Sequence, residues 1–328
     1  MSPDYRVGTE PDPASQVELD SPWNEEPERR EAVVSEALHG ARLDKAVVAM
    51  AGEFSRSHLQ TLVEGGHVYV DDRVATTASR KVVAGQRIAV ELVPTPQSQA
   101  FRPEAIALAI VHEDEHVLVI DKPAGLVVHP AAGNWSGTVL NGLLAHHPGA
   151  AALPRAGIVH RLDKDTSGLM VVGKTLTAVT ALVREIAARE VHREYLAIAH
   201  GVPAQAWMRI DAAVGRDPQS RIRMAVLAAG KPAMTDVELF ARCDHFSGLR
   251  CTLHTGRTHQ IRVHLAHQGH PLVADAVYGG APALGMQRQA LHAQRLEFTH
   301  PASGEAMAFR ADPPADFAAA WARIAGGA

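Results

Sequence analysis

The stretch from Gly157 to Val172 constrains the fold more than any other part of the chain. It reads Gly-Ile-Val-His-Arg-Leu-Asp-Lys-Asp-Thr-Ser-Gly-Leu-Met-Val-Val, so two apolar runs flank a short polar segment. Such runs are typical of β-strands, and Asp, Ser and Gly are favoured in the turn between them. We therefore predict strands over residues 158–162 and 169–172, with Asp163 displayed at the rim of a sheet.

The tetrapeptide Arg-Leu-Asp-Lys in this stretch also occurs at residues 42–45. There Leu43, Val47 and Met50 recur at helical spacing, so the earlier copy is interpreted as the start of a helix. The later copy precedes a turn at the sheet rim, where folds commonly display reactive groups. Asp163 is therefore our candidate catalytic residue, although an aspartate here could also serve only to shape the turn.

The composition is that of a globular protein. The 328 residues are 46% hydrophobic, and the length predicts two domains and a tail. The apolar runs are too short to cross a bilayer and the N-terminus lacks an apolar signal segment, so we expect a cytoplasmic protein with no membrane partner. Cys243 and Cys251 form no Cys-x-x-Cys pair, which argues against a disulfide framework or a thiolate zinc site.

Charge is unevenly distributed along the chain. The formal net charge is -4, but residues 1–40 hold ten acidic and three basic side chains, which leaves the remainder with a net charge of +3. A mildly basic folded part is compatible with a polyanionic partner. Residues 1–36 are rich in Pro, Glu, Asp and Ser and lack a helical or strand period, so we predict a disordered tail there.

A compact unit of short helices and strands is predicted over residues 41–93. Two short helices, the second capped by Ser55, precede strands that turn at Asp71-Asp72. Basic and polar side chains could line one face and contact phosphates, or form an ordinary solvated surface. They are Lys45, Arg56, Ser57, His58, Gln60, Arg80 and Lys81. Arg-Leu-Asp-Lys at the first helix and Ser-Arg-Ser at the second resemble the S4 RNA-binding domain, from whose usual Asn-Gly-like turn Asp71-Asp72 departs.

Residues 94–103 have linker composition, and a second domain is predicted over residues 104–328. Beyond the linker, strand-like runs alternate irregularly with helical stretches such as residues 175–189. This pattern predicts an α+β fold with a largely antiparallel sheet. The chain contains neither a Gly-x-Gly-x-x-Gly turn nor a Gly-x4-Gly-Lys-Ser/Thr loop, which argues against the nucleotide-cofactor folds.

A second polar block, residues 253–264, reads Leu-His-Thr-Gly-Arg-Thr-His-Gln-Ile-Arg-Val-His. A strand is predicted to end at Thr255-Gly256, and Thr258 is predicted to cap the following helix. Arg257 beside this helix start could hold a carboxylate bidentately, or could equally contact a phosphate. Tyr195 on a predicted strand could pack in the core or stack on an everted base.

Five histidines between residues 254 and 270 raise the alternative of a metal site, especially His264-x-x-His267. These five histidines are not part of a His-Glu-x-x-His motif, which would supply two ligands and a general base on one helix face, so we expect no metal. Gly-x-Ser-x-Gly is also absent, which argues against a serine hydrolase.

Five blocks in order resemble the pseudouridine synthases that act on large-subunit ribosomal RNA and carry an N-terminal S4 domain. The blocks are residues 121–130, 160–168, 193–195, 230–235 and 255–264, and the similarity extends from Ala41 to about Pro314. The resemblance implies a pseudouridine synthase catalytic domain, with a central, mostly antiparallel mixed sheet flanked by helices, preceded by a small α/β S4-type domain.

The resemblance also implies roles for site residues. Asp163 matches the catalytic aspartate, and the substrate-binding residues are Arg161, Tyr195, Arg257 and Ile261. Arg161 would fill the gap left by an extruded uridine, Tyr195 would lie beside the uracil, and Arg257 would pair with Asp163. Ile261 would lie near the pocket.

By the same resemblance, we expect an isomerase that forms pseudouridine in a ribosomal RNA stem-loop, within the pre-ribosomal large subunit, as a monomer without metal or cofactor. The residues leave open a transfer RNA substrate, and whether Asp163 attacks the sugar or assists its deprotonation. A catalytically inactive RNA-binding or ribosome-assembly factor is the alternative, and a histidine-ligated metal hydrolase is a more distant one.

Overall fold

The computed structural model describes residues 28–93, 100–131, 133–220 and 222–326. The chain divides into two compact units, residues 1–95 and residues 96–328. Most of the predicted tail (residues 1–27) and of the predicted linker (residues 94–99) lies outside the described residues. In the ranges described, every helix is too short or too polar to span a membrane.

The first unit is a four-stranded antiparallel sheet packed against two helices. Its elements are β1 (Glu28–Val33), α1 (Leu43–Met50), α2 (Arg56–Glu64), β2 (Val68–Val70), β3 (Arg73–Val74) and β4 (Arg87–Leu92). The strand order is β1-β4-β2-β3. Leu43 and Leu59 of the helices pack with Val68 and Val90 of the strands in one buried core. As predicted, the Ser55 side chain caps α2 by accepting a hydrogen bond from the His58 backbone N–H.

Residues 28–36 correct the prediction of a disordered tail over residues 1–36. Glu28–Val33 form β1, which pairs with β4 from Glu28 opposite Leu92 to Val33 opposite Arg87. Most β1 side chains are exposed, so the segment carries no hydrophobic period. Its order comes from backbone pairing and from cross-strand ion pairs such as Arg29 with Glu91 at 3.5 Å.

The Asp71-Asp72 turn keeps a tight hairpin geometry without the Asn-Gly pair. Both residues have positive φ, 50° and 60°, and Val70 lies opposite Arg73 across the two-residue loop. Positive φ at both positions is what a type I′ hairpin turn requires, and aspartate tolerates it. The Asp71 carboxylate also accepts a hydrogen bond from the Arg87 backbone N–H at 2.9 Å, which fixes the turn against β4.

The second unit is built on a nine-stranded sheet flanked by helices. Its elements are β5 (Ile110–Glu113), β6 (Val117–Lys122), α3 (Val139–His146), β7 (Ser167–Gly173), α4 (Leu176–Ala188), β8 (His192–His200), β9 (Trp207–Asp211), β10 (Val214–Arg216), β11 (Met224–Val226), β12 (Met234–Cys243), β13 (Phe246–Leu253), α5 (Gln260–His267), β14 (Leu291–Thr299), β15 (Ala306–Arg310) and α6 (Ala315–Ala325).

The sheet of the second unit is mixed and mostly antiparallel, which confirms the predicted α+β class. The order is β5-β6-β7-β14-β8-β13-β12-β9, with β15 also pairing with β14, while β10 and β11 form a separate hairpin. The β7–β14 pair is parallel. The other pairs in this sheet are antiparallel.

Alternate residues of β8 face opposite sides of this sheet. Tyr195 and Ala197 join a buried cluster with residues of α3 and α5. Leu196 and Ile198 face the other side, where α6 packs. Since Leu162 belongs to the Tyr195 side, the Asp163 turn lies on the face that α3 and α5 cover.

Residues 158–162 do not form the predicted strand. Ile158 makes an isolated bridge to Val172, and Ile158 and Leu162 are buried in the core beside β7. The His160 imidazole Nε2 accepts a hydrogen bond from the Val171 backbone N–H at 3.0 Å. The apolar pattern thus predicted burial correctly, but a histidine side chain takes the place of strand backbone beside β7.

Candidate active site

One cleft in the second unit brings together the residues predicted to act on a substrate. It has a volume of about 540 Å³, within the range of small-molecule pockets. Its lining includes Arg161, Asp163, Tyr195, Arg257 and Ile261. These residues come from the loop before β7, from β8, from the loop after β13 and from α5, so the fold assembles the site from segments nearly a hundred residues apart.

Asp163 lies in a tight turn that a buried lysine holds in place. The Thr166 backbone N–H donates to the Asp163 carbonyl oxygen at 3.1 Å. Lys122 at the end of β6 is 1% exposed, and its Nζ donates to three carbonyl oxygens, including that of Lys164 at 2.9 Å. Burial lowers the pKa of Lys122 to about 8. Sequence reasoning gave Lys122 no role; its one signal is a lysine two residues after the apolar run 117–120.

Arg262, and not Arg257, pairs with Asp163. The Nη1 atom of Arg262 lies 3.0 Å from Asp163 Oδ2, whereas Arg257 Nε donates to the Pro232 carbonyl oxygen at 3.1 Å. Arg262 is 4% exposed, while Arg257 is exposed at the cleft mouth. The predicted pairing of Arg257 with the aspartate is therefore wrong for this structure, although Arg257 does line the cleft.

Helix α5 begins one residue later than predicted. The N-cap residue is His259, in the left-handed conformation with φ of 57°, and not Thr258. The Gln260 side-chain oxygen accepts from the Arg257 backbone N–H at 2.9 Å and so holds the preceding loop. This start leaves Arg257 in the loop and turns Arg262, in the first turn of α5, towards the Asp163 turn.

Arg262 is fixed by a second carboxylate. Its Nε and Nη2 atoms lie 2.7 and 2.8 Å from the two oxygens of Asp275, which is 1% exposed. The Tyr278 ring stacks on the guanidinium, with 5.0 Å from Cζ to the ring centroid. Burial opposes the charge of Arg262, but the hydrogen bonds with Asp275 and the charge of Asp163 together raise its pKa. The guanidinium therefore bridges two carboxylates in one fixed orientation.

His259 approaches Asp163 from the other side. Its Nε2 lies 3.9 Å from Asp163 Oδ1, and its Nδ1 lies 2.8 Å from the Tyr278 hydroxyl. That hydroxyl accepts from the Met224 backbone N–H at 2.9 Å, so its own proton can go to Nδ1 of His259. Burial lowers the pKa of His259, which keeps the ring neutral with a proton available on the nitrogen that faces Asp163. Sequence reasoning did not find Asp275, Tyr278 or this role of His259.

The remaining cleft wall is partly apolar. Tyr195 is 5% exposed and Ile261 is 3% exposed, and both belong to the core that also contains Leu162. Burial raises the pKa of Tyr195, so its phenol stays neutral. Arg161 is exposed, lies two residues before Asp163 in sequence and lines the cleft.

The histidine pair that raised a metal alternative has another explanation. His264 is fully buried; its Nδ1 lies 2.9 Å from the Thr235 hydroxyl and its Nε2 lies 2.9 Å from the Ala212 carbonyl oxygen. Both ring nitrogens are therefore used to join α5 to β12 and to the segment between β9 and β10. Within the described ranges, no group of three or more His, Cys, Asp or Glu side chains is arranged to hold a metal ion.

The predicted RNA-binding residues of the first unit lie around the starts of its two helices. Arg56 Nη2 lies 3.3 Å from the carboxylate of Asp44 in the first turn of α1. The backbone of Arg80 and Lys81 bonds to the segment that enters α1. Side chains that are exposed are Lys45, Arg56, Ser57, Gln60, Arg80 and Lys81, while His58 is half-buried. The fold thus places the exposed cations of α1, α2 and the residue 80–81 loop near one another.

Family models match both units. A model described as RNA pseudouridylate synthase matches residues 116–267, and a model described as S4 domain matches residues 41–88. The first range contains Asp163, Tyr195 and Arg262, and the second contains α1 and α2.

Similar proteins cover most of the chain. The ribosomal large subunit pseudouridine synthase D of Neisseria meningitidis serogroup B is 50% identical over 293 residues, which cover 85% of this chain and 77% of that protein. The protein of the same name from Xanthomonas campestris pv. campestris is 46% identical over 300 residues, which cover 88% of this chain and 90% of that protein.

Two solved structures have a similar fold. Human RNA Pseudouridylate Synthase Domain Containing 1 aligns with a TM-score of 0.51 and 27% identity, covering 64% of this chain and 85% of that one. Human RNA Pseudouridylate Synthase Domain Containing 4 aligns with a TM-score of 0.50 and 22% identity, covering 66% of this chain and 92% of that one, which is a likeness in fold alone.

Proposed function

The chain belongs to the RNA pseudouridine synthase family, and we propose that it modifies uridines of large-subunit ribosomal RNA with Asp163 as the catalytic residue. As a member of this family, it is an isomerase that converts uridine in RNA to pseudouridine. The ribosomal substrate is proposed because relatives 46% and 50% identical are named for the large ribosomal subunit. The observation that carries the catalytic assignment is the partly exposed Asp163 carboxylate, held in the cleft by a buried arginine at 3.0 Å.

The reaction moves a bond within one nucleoside. The bond from C1′ to N1 of uracil breaks, the base turns, and C1′ bonds to C5. The C5 hydrogen leaves as a proton and N1 ends protonated, so no atom is gained or lost. The Asp163 carboxylate either attacks C1′ or removes a proton from the sugar as the base departs. Both routes need one carboxylate oxygen directed at the sugar. Arg262 binds Asp163 Oδ2, and His259 Nε2 is 3.9 Å from Oδ1, beyond hydrogen-bond distance, which leaves Oδ1 for that purpose.

The cleft must retain the free base while it turns. We assign this to Tyr195 and Ile261, whose buried side chains form the apolar part of the wall. A neutral tyrosine ring can stack on uracil, and a closed apolar wall hinders the escape of the base and the entry of water.

A uridine reaches this cleft only after it leaves its stack in the RNA. Extrusion costs a few kcal/mol, least in loops, so a stem-loop is the expected target. We assign the filling of the gap left by the base to Arg161, which is exposed and lines the cleft. The exposed cations near α1 and α2 of the first unit would add sequence-independent phosphate contacts, as the S4 match supports.

We further propose a cytoplasmic monomer that acts on the large ribosomal subunit during its assembly. The sequence comparisons offer no support for an inactive assembly factor as the alternative. Chemical mapping of pseudouridine in total RNA, from cells with and without this gene, tests the substrate. Sites in large-subunit RNA that vanish with the gene, and return with the wild type but not with Asp163→Asn, are expected. Loss of sites in transfer RNA instead would refute the proposed substrate.

A further inference from the structure

Arg193 is a buried arginine without a counter-ion in the cleft wall. It lies on β8, is 5% exposed and lines the same cleft as Asp163. Its Nε is buried without a hydrogen-bond partner, and no carboxylate among the described residues pairs with its guanidinium. An arginine cannot lose its proton to relieve this cost, so the arrangement is stable only if the rest of the fold tolerates it or a ligand supplies the missing charge.

The groups around Arg193 do not supply that charge. Burial, together with the positive charge of Arg193, lowers the pKa of His160 to about 3, so this ring is neutral. Burial, with Arg161 and Arg155, lowers the pKa of His129 to about 4. His160 Nδ1 and His129 Nε2 are also buried without a hydrogen-bond partner. Three buried polar groups along one wall therefore lack partners.

Gly256 makes room for the Arg193 guanidinium. A Cβ atom at residue 256 would lie 2.8 Å from Arg193 Nη1, closer than such contacts occur. The absence of a side chain lets the guanidinium lie directly against the loop that carries Arg257. The Arg193 guanidinium therefore occupies space that a side chain at residue 256 would contest.

The charge of the cleft indicates the class of ligand. The described lining residues include six arginines and one carboxylate, Asp163, and this carboxylate shares Arg262 with Asp275. The six arginines are Arg155, Arg161, Arg189, Arg193, Arg257 and Arg262. Uracil and ribose carry no charge, so they cannot balance this excess, whereas each phosphodiester of RNA carries one negative charge.

We propose that Arg193 binds a phosphodiester group flanking the everted uridine, and so anchors the nucleotide whose base Tyr195 contacts. This proposal rests on the function proposed above. Arg193 and Tyr195 are two residues apart on the same side of β8, which separates them by about 7 Å, comparable to the span of one nucleotide. A guanidinium binds phosphate through two parallel N–H groups, which explains an arginine at a place where a lysine would give only a point charge.

The test asks whether Arg193 interacts with one particular phosphate of the RNA. Binding of an RNA stem-loop is measured for the wild type, Arg193→Gln and Arg193→Lys, each in an Asp163→Asn background that prevents turnover. The stem-loop carries either natural linkages or one neutral methylphosphonate, placed 5′ or 3′ of the target uridine. Arg184→Gln, which removes an exposed arginine of α4 outside the cleft lining, is the control for net charge.

We expect Arg193→Gln to weaken binding of the natural RNA about ten- to hundredfold, as for a lost hydrogen bond to a charged group. The slope of log affinity against log salt should fall by about one, and Arg193→Lys should restore the slope but only part of the affinity. One of the two methylphosphonate substitutions should weaken RNA binding by the protein that retains Arg193. The same substitution should leave RNA binding by the Arg193→Gln protein unchanged. Equal losses in both proteins at both linkages would overturn the proposal, as would a coupling of Arg193 to a uracil carbonyl tested with thiouridine.

Two further measurements separate the possible failures. Pseudouridine formation by the otherwise wild-type chain on the same RNA tests the proposed function independently of Arg193. Thermal unfolding tests folding: because Arg193→Gln removes a buried, unpaired charge, its melting temperature should equal or exceed that of the wild type. A lower melting temperature would indicate that Arg193 serves the fold and would contradict the binding role.

Discussion

The two Arg-Leu-Asp-Lys segments share one burial pattern but hold their aspartates in opposite ways. In both, the arginine and the lysine are exposed and the leucine is buried, with 0% exposure for Leu43 and 4% for Leu162. The Asp44 side chain is 2% exposed, whereas that of Asp163 is 16% exposed. The tetrapeptide therefore fixes the leucine as an anchor but leaves the environment of the aspartate to the rest of the fold.

The two aspartates also differ in whether their arginine partners are exposed or buried. Asp44 is a buried acid that accepts hydrogen bonds from two exposed arginines, Arg42 and Arg56. Asp163 is a partly exposed acid that accepts from one buried arginine, Arg262, itself fixed by Asp275. A carboxylate enclosed by surface cations stabilises local structure, whereas a carboxylate backed by a buried cation presents a free oxygen to a substrate.

The largest expected difference is in turnover. Asp163→Asn removes the charge that the reaction needs and should lower kcat at least about 10³-fold. Asp44→Asn, the matched change in the other copy, should leave kcat within about threefold, because Asp44 lies outside the cleft lining. Tritium release from RNA labelled at uridine C5 measures both. Comparable losses in the two variants would show that the copies do not differ in the way described.

The next expected effect concerns the buried cation. Arg262→Lys keeps the charge but cannot bridge Asp163 and Asp275, so the catalytic carboxylate should lose its orientation. A misplacement of about 1 Å costs roughly 10²-fold in rate, and we expect a loss of this size in kcat. Arg209→Lys, at an exposed pair with Asp236, is the control and should change little. A wild-type kcat in Arg262→Lys would show that catalysis does not depend on the orientation that Arg262 gives to the Asp163 carboxylate.

A smaller effect, on stability, is expected from Asp44. Hydrogen bonds from Arg42, with a further one from Arg56 against the opposing effect of burial, lower the pKa of Asp44. Its stabilisation is therefore complete above the unfolded pKa, about 3.9, and is lost as the pH falls through the lower folded value. Asp44→Asn should destabilise α1 by about 1 to 2 kcal/mol at pH 7 and by progressively less in acid. Hydrogen exchange of the α1 amides at pH 7 and pH 3 measures this, and a pH-independent difference would contradict it.

The smallest effect is expected from the exposed arginines of the two segments, Arg161 and Arg42. Arg161→Ala should lower kcat/KM for a structured RNA about tenfold, because the gap left by the base is no longer filled. It should matter less on a single-stranded RNA, where extrusion costs less. Arg42→Ala should leave kcat/KM for both RNAs close to the wild-type value, since Arg56 still pairs with Asp44. Equal effects of Arg161→Ala on both RNAs would argue against the gap-filling role.

Local patterns predicted many elements because their causes are local. Thr175 was expected at the start of a helix over residues 175–189, and it caps α4 by accepting from the Ala178 backbone N–H at 3.1 Å. Alternation along a strand also predicts that Tyr195 lies on the face opposite Leu196 and Ile198, and the side chains of β8 are arranged in this way. By contrast, β1 carries no hydrophobic period, because its order depends on pairing with β4 some sixty residues later.

The sequence by itself determined the α+β class, the S4-like unit and Asp163 as the candidate catalytic residue, because periodicity, caps and ordered motifs are properties of neighbouring residues. The tertiary structure alone decided which arginine meets Asp163. Arg257 lies in the loop before α5 and Arg262 in its first turn, and the packing of Ile261 and Leu265 in the core sets which way that turn faces. Asp275, Tyr278 and Lys122 complete that arrangement from distant segments, and only packing brings them together.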